Sequence, residues 1–118
     1  MSPLPVEVVE LRRWLLDVAL PLWWTTGADH SGGGFHEASN LDGSPGPSPH
    51  RARTIARQVF VYGQAGRLGW NGPWRKATGH ALEYLRQRFI KADGTIASVV
   101  ELDGSIRDAP FDLYDQAF

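Results

Sequence analysis

Hydrophobic residues recur every three or four positions near the start of the chain, with charged residues between them. The apolar positions are Val8, Leu11, Leu15, Val18 and Leu22. This spacing predicts an amphipathic helix that begins at about Pro5. Because Pro21 has no backbone donor, we expect the helix to loosen or end near Leu20, leaving a short apolar segment before Gly27.

Two further helices are predicted in the middle of the chain. Residues 51–68 and the residues that follow Pro73 both carry apolar side chains at helical spacing, and the segment 71–73 (Asn-Gly-Pro) separates them. Helices joined by so short a connection pack as an antiparallel hairpin. The two expected core stripes are Ala52, Ile55, Val59, Tyr62 and Gly66, and then Trp74, Ala77, Ala81, Leu85 and Phe89.

Glycine-rich segments with short β-patterns connect these helices. Residues 27–49 contain six glycines and three prolines, which predicts a folded loop with short extended pieces rather than a helix. Farther on, Asp103-Gly104 lies between β-rich runs and predicts a hairpin turn. Asp108-Ala109-Pro110 is typical of a helix start, followed by apolar residues at 111, 114 and 118.

The order of these elements predicts an all-α fold built from helical hairpins, with Gly-rich loops that carry short β-hairpins. Helical pairs with long loops at one end favour a toroid in which neighbouring pairs supply each other's packing surface. No repeat is visible at the level of individual residues. Since the apolar pattern is still running at Phe118, we expect residues 1–118 to form a single incomplete domain.

Composition narrows the possible functions. The 118 residues carry a net charge of −1 and contain no cysteine, which excludes disulfides, thiolate metal sites and cysteine nucleophiles. A protein whose net charge is near zero binds nucleic acid poorly, because phosphate binding needs a surplus of positive charge. Charges and Pro21 interrupt the apolar stretch 11–24, and acids occupy the N-terminal region, so we expect no membrane span, no signal peptide and a cytoplasmic location.

Arg57 is the first candidate for binding chemistry. With Arg51 and Arg53 it could form an ordinary solvated helix face. However, Arg57 comes just before the run 59–62, which is apolar on nearly all sides, as in a helix buried on both faces. An arginine in such a place needs a partner or a ligand oxygen.

A second polar group follows near the C-terminus. Asp112 and Asp115 are explained as first-turn acids that favour the helix dipole, while an acid pair for glycoside hydrolysis is a weaker alternative. Tyr114 is less well explained, because a buried phenol needs a partner for its hydroxyl.

The histidines and tryptophans suggest packing roles first. His30, His36, His50 and His80 show no metal-binding spacing, so no metal site and no histidine catalyst is predicted here, and His80 is expected on the exposed side of its helix. Trp14, Trp70 and Trp74 are expected between helices. Trp23 and Trp24 are expected to pack, with stacking on a sugar ring as the alternative.

Four segments taken in order resemble the N-acylglucosamine 2-epimerase family. They are LPLWWTTGADHSGGGFHE, RTIARQVFVYGQAGRLGW, DGTIASVVELDGS and DLYDQAF. The resemblance implies the N-terminal part of an (α/α)6 barrel with a sugar pocket at one end. It also implies reversible isomerisation or C2 epimerisation of an aldose through an enediolate, with histidines as acid and base and with no metal or cofactor.

The resemblance assigns substrate-binding roles to two residues. Arg57 corresponds to the family's pocket arginine on the second helix, and Tyr114 to the pocket tyrosine after the second hairpin loop. Ile55 replaces a family glutamine or asparagine, which weakens one pocket contact. The family's catalytic histidines belong to later hairpins and match none of the four here, so no catalytic residue is predicted and the chain alone is expected to be inactive.

The expected partner is a monosaccharide such as mannose, glucose or N-acylglucosamine, with or without a phosphate group. An open ring would leave apolar surface uncovered, so weak stability or homo-oligomer formation is expected. Two alternatives stay open. The parent could be an (α/α)6 glycoside hydrolase or lyase, or the chain could be a small carbohydrate-binding module that uses Trp23, Trp24 and Arg57.

Overall fold

The computed structural model describes residues 2–118 and is rich in helix, in agreement with the expected all-α class. The helices are α1 (Val6–Trp14), α2 (Leu20–Leu22), α3 (Ala52–Leu68), α4 (Trp74–Arg88) and α5 (Leu113–Ala117). Two π-helical turns, Leu15–Ala19 and Trp23–Gly27, follow α1 and α2 and make one continuous helical segment. The strands β1 (His50–Arg51) and β2 (Val99–Val100) contain two residues each.

The first helix was expected to loosen or end near Leu20; it loosens there, in the π turn Leu15–Ala19, and does not end. Pro21 lies in the first turn of α2, and the chain stays helical through the second π turn. A π turn widens the hydrogen-bond ladder, which is one of the ways in which a helix tolerates an inserted proline. The segment ends where the Ala28 amide donates to the Trp23 carbonyl at 2.7 Å.

Only the later part of this segment meets the core. Ala19 and Leu20 are buried, whereas Val8, Leu11 and Val18 of the expected core stripe are exposed. Every residue of α1 is exposed, so neither face of α1 meets the core in the described residues, and the π turn Leu15–Ala19 shifts the 3.6-residue period of the positions that follow it. Of the residues in the stripe, Leu15 is partly buried and packs against the core.

The predicted antiparallel hairpin is confirmed in α3 and α4. Early residues of α4 contact late residues of α3: a Cβ placed on Gly66 would lie under 3.0 Å from atoms of the Trp74 ring. Glycine at this position therefore lets the indole lie directly on the α3 backbone. Most of both predicted stripes is buried, and the largest fully buried side chain, Tyr62, donates its hydroxyl to the Leu20 carbonyl at 2.8 Å, which ties α3 to α2.

Other expected burial patterns fail on the outer sides of the helices. The run that begins at Val59 was expected to be buried on both faces, yet Phe60 is 67% exposed and Val61 is also exposed. Trp14 is exposed rather than packed between helices, while Trp70 is buried as expected. Only one side of α3 meets α4 and the loops in the described residues.

Loop segments pair with one another next to the first residues of α3. β1 and β2 are antiparallel, with His50 opposite Val100. Isolated bridges join Ala28 to Phe35 and Val100 to Ile106. The second of these bridges closes the hairpin that Asp103-Gly104 predicts.

A five-residue turn occurs three times, although the sequence analysis found no repeat. Its third to fifth residues are Asp-Gly-Ser or Asp-Gly-Thr, at 42–44, 93–95 and 103–105. In each copy the aspartate Oδ1 accepts from the backbone and hydroxyl of the last residue, and the glycine has a positive φ of 86° to 89°. The shared sequence is only three residues long, and its three copies connect different elements. For that reason it is not recognisable as a repeat in the sequence.

The last helix begins later than predicted. Asp108 was expected to start it, but α5 begins at Leu113, after Asp112, whose side chain accepts from the Tyr114 amide at 2.9 Å. An N-cap needs an oxygen that can reach the amide two or three positions on, and Asp112 satisfies that condition here.

Candidate functional site

Arg57 and Tyr114, the two predicted binding residues, lie against each other. An Nη2 hydrogen of Arg57 is donated to the Tyr114 hydroxyl oxygen at 3.2 Å, across 57 positions of sequence. The Tyr114 side chain is about half exposed, and Arg57 is exposed as well. The pair therefore joins α3 to α5 and still presents polar atoms to solvent.

Local contacts hold α5 in the position that makes this meeting possible. Gln116 donates its side-chain amide to the Ile96 carbonyl at 2.7 Å and accepts from the Ile96 amide at 2.8 Å. This two-bond contact resembles one rung of a β-ladder. Since α5 has only five residues, such a contact and the Asp112 cap supply order that its own helical bonds cannot.

Asp115 has a role beyond the expected one. It lies in the first turn of α5, as expected, but it is also buried, and its Oδ1 lies 3.2 Å from Nε of Arg53. The geometry is that of an ion pair without an aligned hydrogen bond. A buried carboxylate needs a cationic partner, and Arg53 on α3 supplies it from outside the helix.

Arg53 also contacts the aromatic ring of the candidate site. Its Cζ lies 5.1 Å from the centroid of the Tyr114 ring, and Cζ of Arg57 lies 4.9 Å from the centroid of Phe118. Guanidinium groups over aromatic faces are attracted by the ring quadrupole. The two arginines are one helical turn apart on α3, and each lies over one of the two α5 rings, which contact each other edge-on with centroids 5.0 Å apart.

This arrangement can bind a polar, oxygen-rich ligand. The Arg57 guanidinium has five N–H donors, of which the phenol takes one, and the Tyr114 hydroxyl can both donate and accept. A guanidinium held beside a phenol suits an oxygen that becomes negatively charged during a reaction. The cluster contains no group poised to remove a proton from carbon.

Glu37 is a charged residue at the base of α3 that sequence reasoning missed. Its side chain is 7% exposed; it forms an ion pair with Arg51 and accepts from the Thr54 hydroxyl at 3.0 Å. The partners lie 14 and 17 positions away, so no local pattern marks this glutamate. It fastens the Gly-rich loop to the start of α3, the helix that carries both arginines.

The histidines and Trp24 belong mainly to packing. Trp24 contacts the rings of Phe35 and Tyr62, and the rings of His30 and His80 pack against its edge. The expectation that His80 faces solvent is wrong: it is half-buried, and its Nε2 bonds to the Gly34 carbonyl at 2.8 Å. Trp23, unlike Trp24, is exposed.

Comparison with known proteins shows the family of the chain. The family model of N-acylglucosamine 2-epimerase (GlcNAc 2-epimerase) matches residues 33–118, which include Arg57 and Tyr114. The chain belongs to this family. The family match confirms the resemblance seen in the sequence, and it counts against the alternative of a glycoside hydrolase or lyase parent.

A curated relative is much longer than this chain. The chain is 43% identical over 113 residues to a protein of Rhizobium meliloti (strain 1021) named mannose-6-phosphate isomerase. The match covers 96% of this chain and 29% of the relative, so the chain spans less than a third of that protein's length. Within residues 2–118, no helix has the length and apolar character needed to cross a membrane.

Proposed function

We propose that this chain forms one wall of the sugar pocket of an aldose isomerase or C2 epimerase. The contact between Arg57 and Tyr114 carries the proposal, because it joins two helices at an exposed, donor-rich point. Both residues would bind hydroxyl or carbonyl oxygens of an aldose such as mannose, glucose or N-acylglucosamine.

The reaction would proceed through an enediolate. A base removes the proton on the carbon next to the opened carbonyl, and the oxygen that becomes negative needs donors in fixed positions. Arg57 is suited to that second task, since its guanidinium stays protonated at working pH and is oriented by the phenol.

The acid and base are expected from residues outside this chain. His30, His50 and His80 each bond through one ring nitrogen to a backbone carbonyl at 2.8 to 3.0 Å. A carbonyl accepts hydrogen bonds only, so in each ring that nitrogen carries the proton and the histidine serves to bind the loop. The resemblance places the family's catalytic histidines in later hairpins, so the isolated 118-residue chain would bind a sugar without converting it.

The parent architecture would be an (α/α)6 barrel, of which residues 1–118 form part of one domain. Exposed apolar side chains on two helices support this proposal, because they need cover from further elements. They are Val8, Leu11, Phe60 and Val61.

The test measures sugar binding and sugar conversion on the purified chain. Saturation-transfer NMR with D-mannose should show weak contact that is lost in Arg57→Ala and reduced in Tyr114→Phe. Arg67→Ala is the matched control, since Arg67 is an exposed arginine in the last turn of the same helix.

Two outcomes would contradict the proposal. Equal mannose contact in Arg57→Ala and Arg67→Ala would remove Arg57 from the pocket. Formation of fructose or glucose from mannose by the isolated chain would show that it holds its own acid and base.

A further inference from the structure

A second polar cleft of about 180 Å³ lies away from the candidate sugar site and shares no residue with it. It opens between the Gly-rich loop, the end of α4 and the tip of the hairpin after β2. The polar side chains that line it are those of Asp29, His50, Tyr84, Arg88 and Asp103.

Two of these side chains are almost fully buried and leave one polar atom unused. Tyr84 is 8% exposed, and its hydroxyl makes no hydrogen bond to any residue in the range 2–118. His50 is 6% exposed and bonds through Nδ1 to the Phe35 carbonyl at 3.0 Å. Neither Oη of Tyr84 nor Nε2 of His50 is sealed from solvent, and both residues line the cleft.

The contacts of these two groups decide which atoms donate. The Phe35 carbonyl can only accept, so Nδ1 of His50 donates to it, and in the imidazole tautomer that this bond selects Nε2 is an acceptor. Burial raises the pKa of the Tyr84 phenol, the Arg88 charge acts against that rise, and the Asp29 charge adds to it. The phenol is therefore protonated at neutral pH and is free to donate.

The charged residues add further acceptors and one strong donor. Oδ1 of Asp29 accepts from the Gly32 amide at 2.7 Å, and Oδ1 of Asp103 accepts from the Ser105 amide at 2.9 Å. Both carboxylates thus keep Oδ2 for another donor. Arg88 lies beside Gly104 at the rim and supplies guanidinium N–H groups.

This set of atoms selects a class of ligand. An anion is disfavoured, because it has only acceptors to offer to two carboxylates and an imidazole lone pair, which are themselves acceptors. A simple cation is disfavoured because it would be repelled by Arg88. A ligand with adjacent hydroxyl groups can both donate and accept hydrogen bonds. It can therefore pair with the donors as well as with the acceptors of the cleft. We propose that the cleft is a binding site for a small neutral polyhydroxyl compound, such as one saccharide unit, separate from the Arg57 site.

The test titrates the isotope-labelled 118-residue chain with D-glucitol and follows its NMR spectrum. D-glucitol has no carbonyl group, so an isomerase cannot convert it. We expect saturable shifts at the Gly33 and Gly104 amides and at His50 Nε2. Tyr84→Phe should weaken binding by about fivefold to tenfold, the value of one hydrogen bond.

The control separates this cleft from the proposed sugar pocket. Arg57→Ala should leave the D-glucitol shifts and the affinity unchanged, even if it abolishes mannose contact. Tyr84→Phe should retain the wild-type stability, because the hydroxyl that it removes has no partner among the described residues.

Three results would each overturn the proposal. They are an absence of saturable shifts at the cleft throughout the titration, equal affinity in Tyr84→Phe and the wild type, and tighter binding of inorganic phosphate than of D-glucitol at the same residues. The last result would make the cleft an anion site.

Discussion

Nε of Arg53 lies 3.2 Å from Oδ1 of Asp115, whose side chain is only 2% exposed. The same guanidinium lies over the ring of Tyr114, the residue next to Asp115 in sequence. One arginine of α3 thus neutralises the buried carboxylate of α5 and supports the phenol beside it. The position of Tyr114 relative to Arg57 depends on this contact as well as on Gln116.

Removal of the buried carboxylate should loosen α5. Asp115→Ala leaves Arg53 without its partner and should lower the free energy of unfolding by about 1–3 kcal/mol, because Arg53 is partly solvated and loses less than a fully buried charge would. Urea unfolding measures the change. Asp108→Ala, at an exposed acid before the helix, is the control and should have little effect; equal losses in both variants would refute this role.

The hydroxyl groups of Tyr62 and Tyr84 should contribute differently to the free energy of unfolding. The Tyr62 hydroxyl donates to the Leu20 carbonyl, so Tyr62→Phe removes a buried hydrogen bond and should cost about 1 kcal/mol. The Tyr84 hydroxyl has no such bond in the part of the chain that the structure describes, so Tyr84→Phe should be near neutral. Urea unfolding of both variants checks this, and the reverse order would contradict the hydrogen-bond assignment.

Two glycines in the helical hairpin should respond in opposite directions to alanine. Gly66→Ala would drive a methyl group into the Trp74 ring and should destabilise the chain by about 1–3 kcal/mol. Gly79 in α4 has open space around the added methyl, and Gly79→Ala should stabilise by up to about 1 kcal/mol through helix propensity. Thermal unfolding midpoints would show the two shifts, and a stabilising Gly66→Ala would disprove the close packing.

The aspartate carboxyl groups of the three Asp-Gly turns should titrate at unusually low pH. Hydrogen bonds from Ser44, Thr95 and Ser105 lower the pKa values of Asp42, Asp93 and Asp103 below the ordinary 3.8. A carboxyl group with a depressed folded pKa stabilises the fold above its unfolded pKa, and this contribution is lost as the pH falls through the folded pKa. The turns should therefore weaken only under strongly acidic conditions.

Carboxyl-carbon NMR would measure these three pKa values directly. Ser105→Ala should raise the pKa of Asp103 toward its ordinary value, because the hydroxyl is the largest cause of the shift. Asp42 and Asp93 have their own hydroxyl partners and should not change in that variant. An unchanged Asp103 would exclude the hydroxyl as the cause.

Local chemistry made part of the candidate site predictable. The apolar period of α3 and the helix-start pattern Asp108-Ala109-Pro110 placed Arg57 and Tyr114 on two helices, although α5 begins only at Leu113, and the resemblance assigned both to one pocket. The roles of Arg53, Asp115 and Glu37 were not predictable in this way. Their partners lie at distant positions, and nothing within a few residues distinguishes a surface acid from a buried one.

The sequence by itself determined the elements whose cause is local. The hairpin of α3 and α4 follows from apolar spacing around Asn-Gly-Pro, and the turn at Asp103-Gly104 follows from the positive φ that glycine accepts. Only the tertiary structure decided which part of the N-terminal helical segment is buried, since Ala19 and Leu20 meet the core while all of α1 is exposed. It also decided that Asp115 is an ion-pair partner and not merely a helix-start acid, because burial and pairing depend on chain segments that meet only after folding.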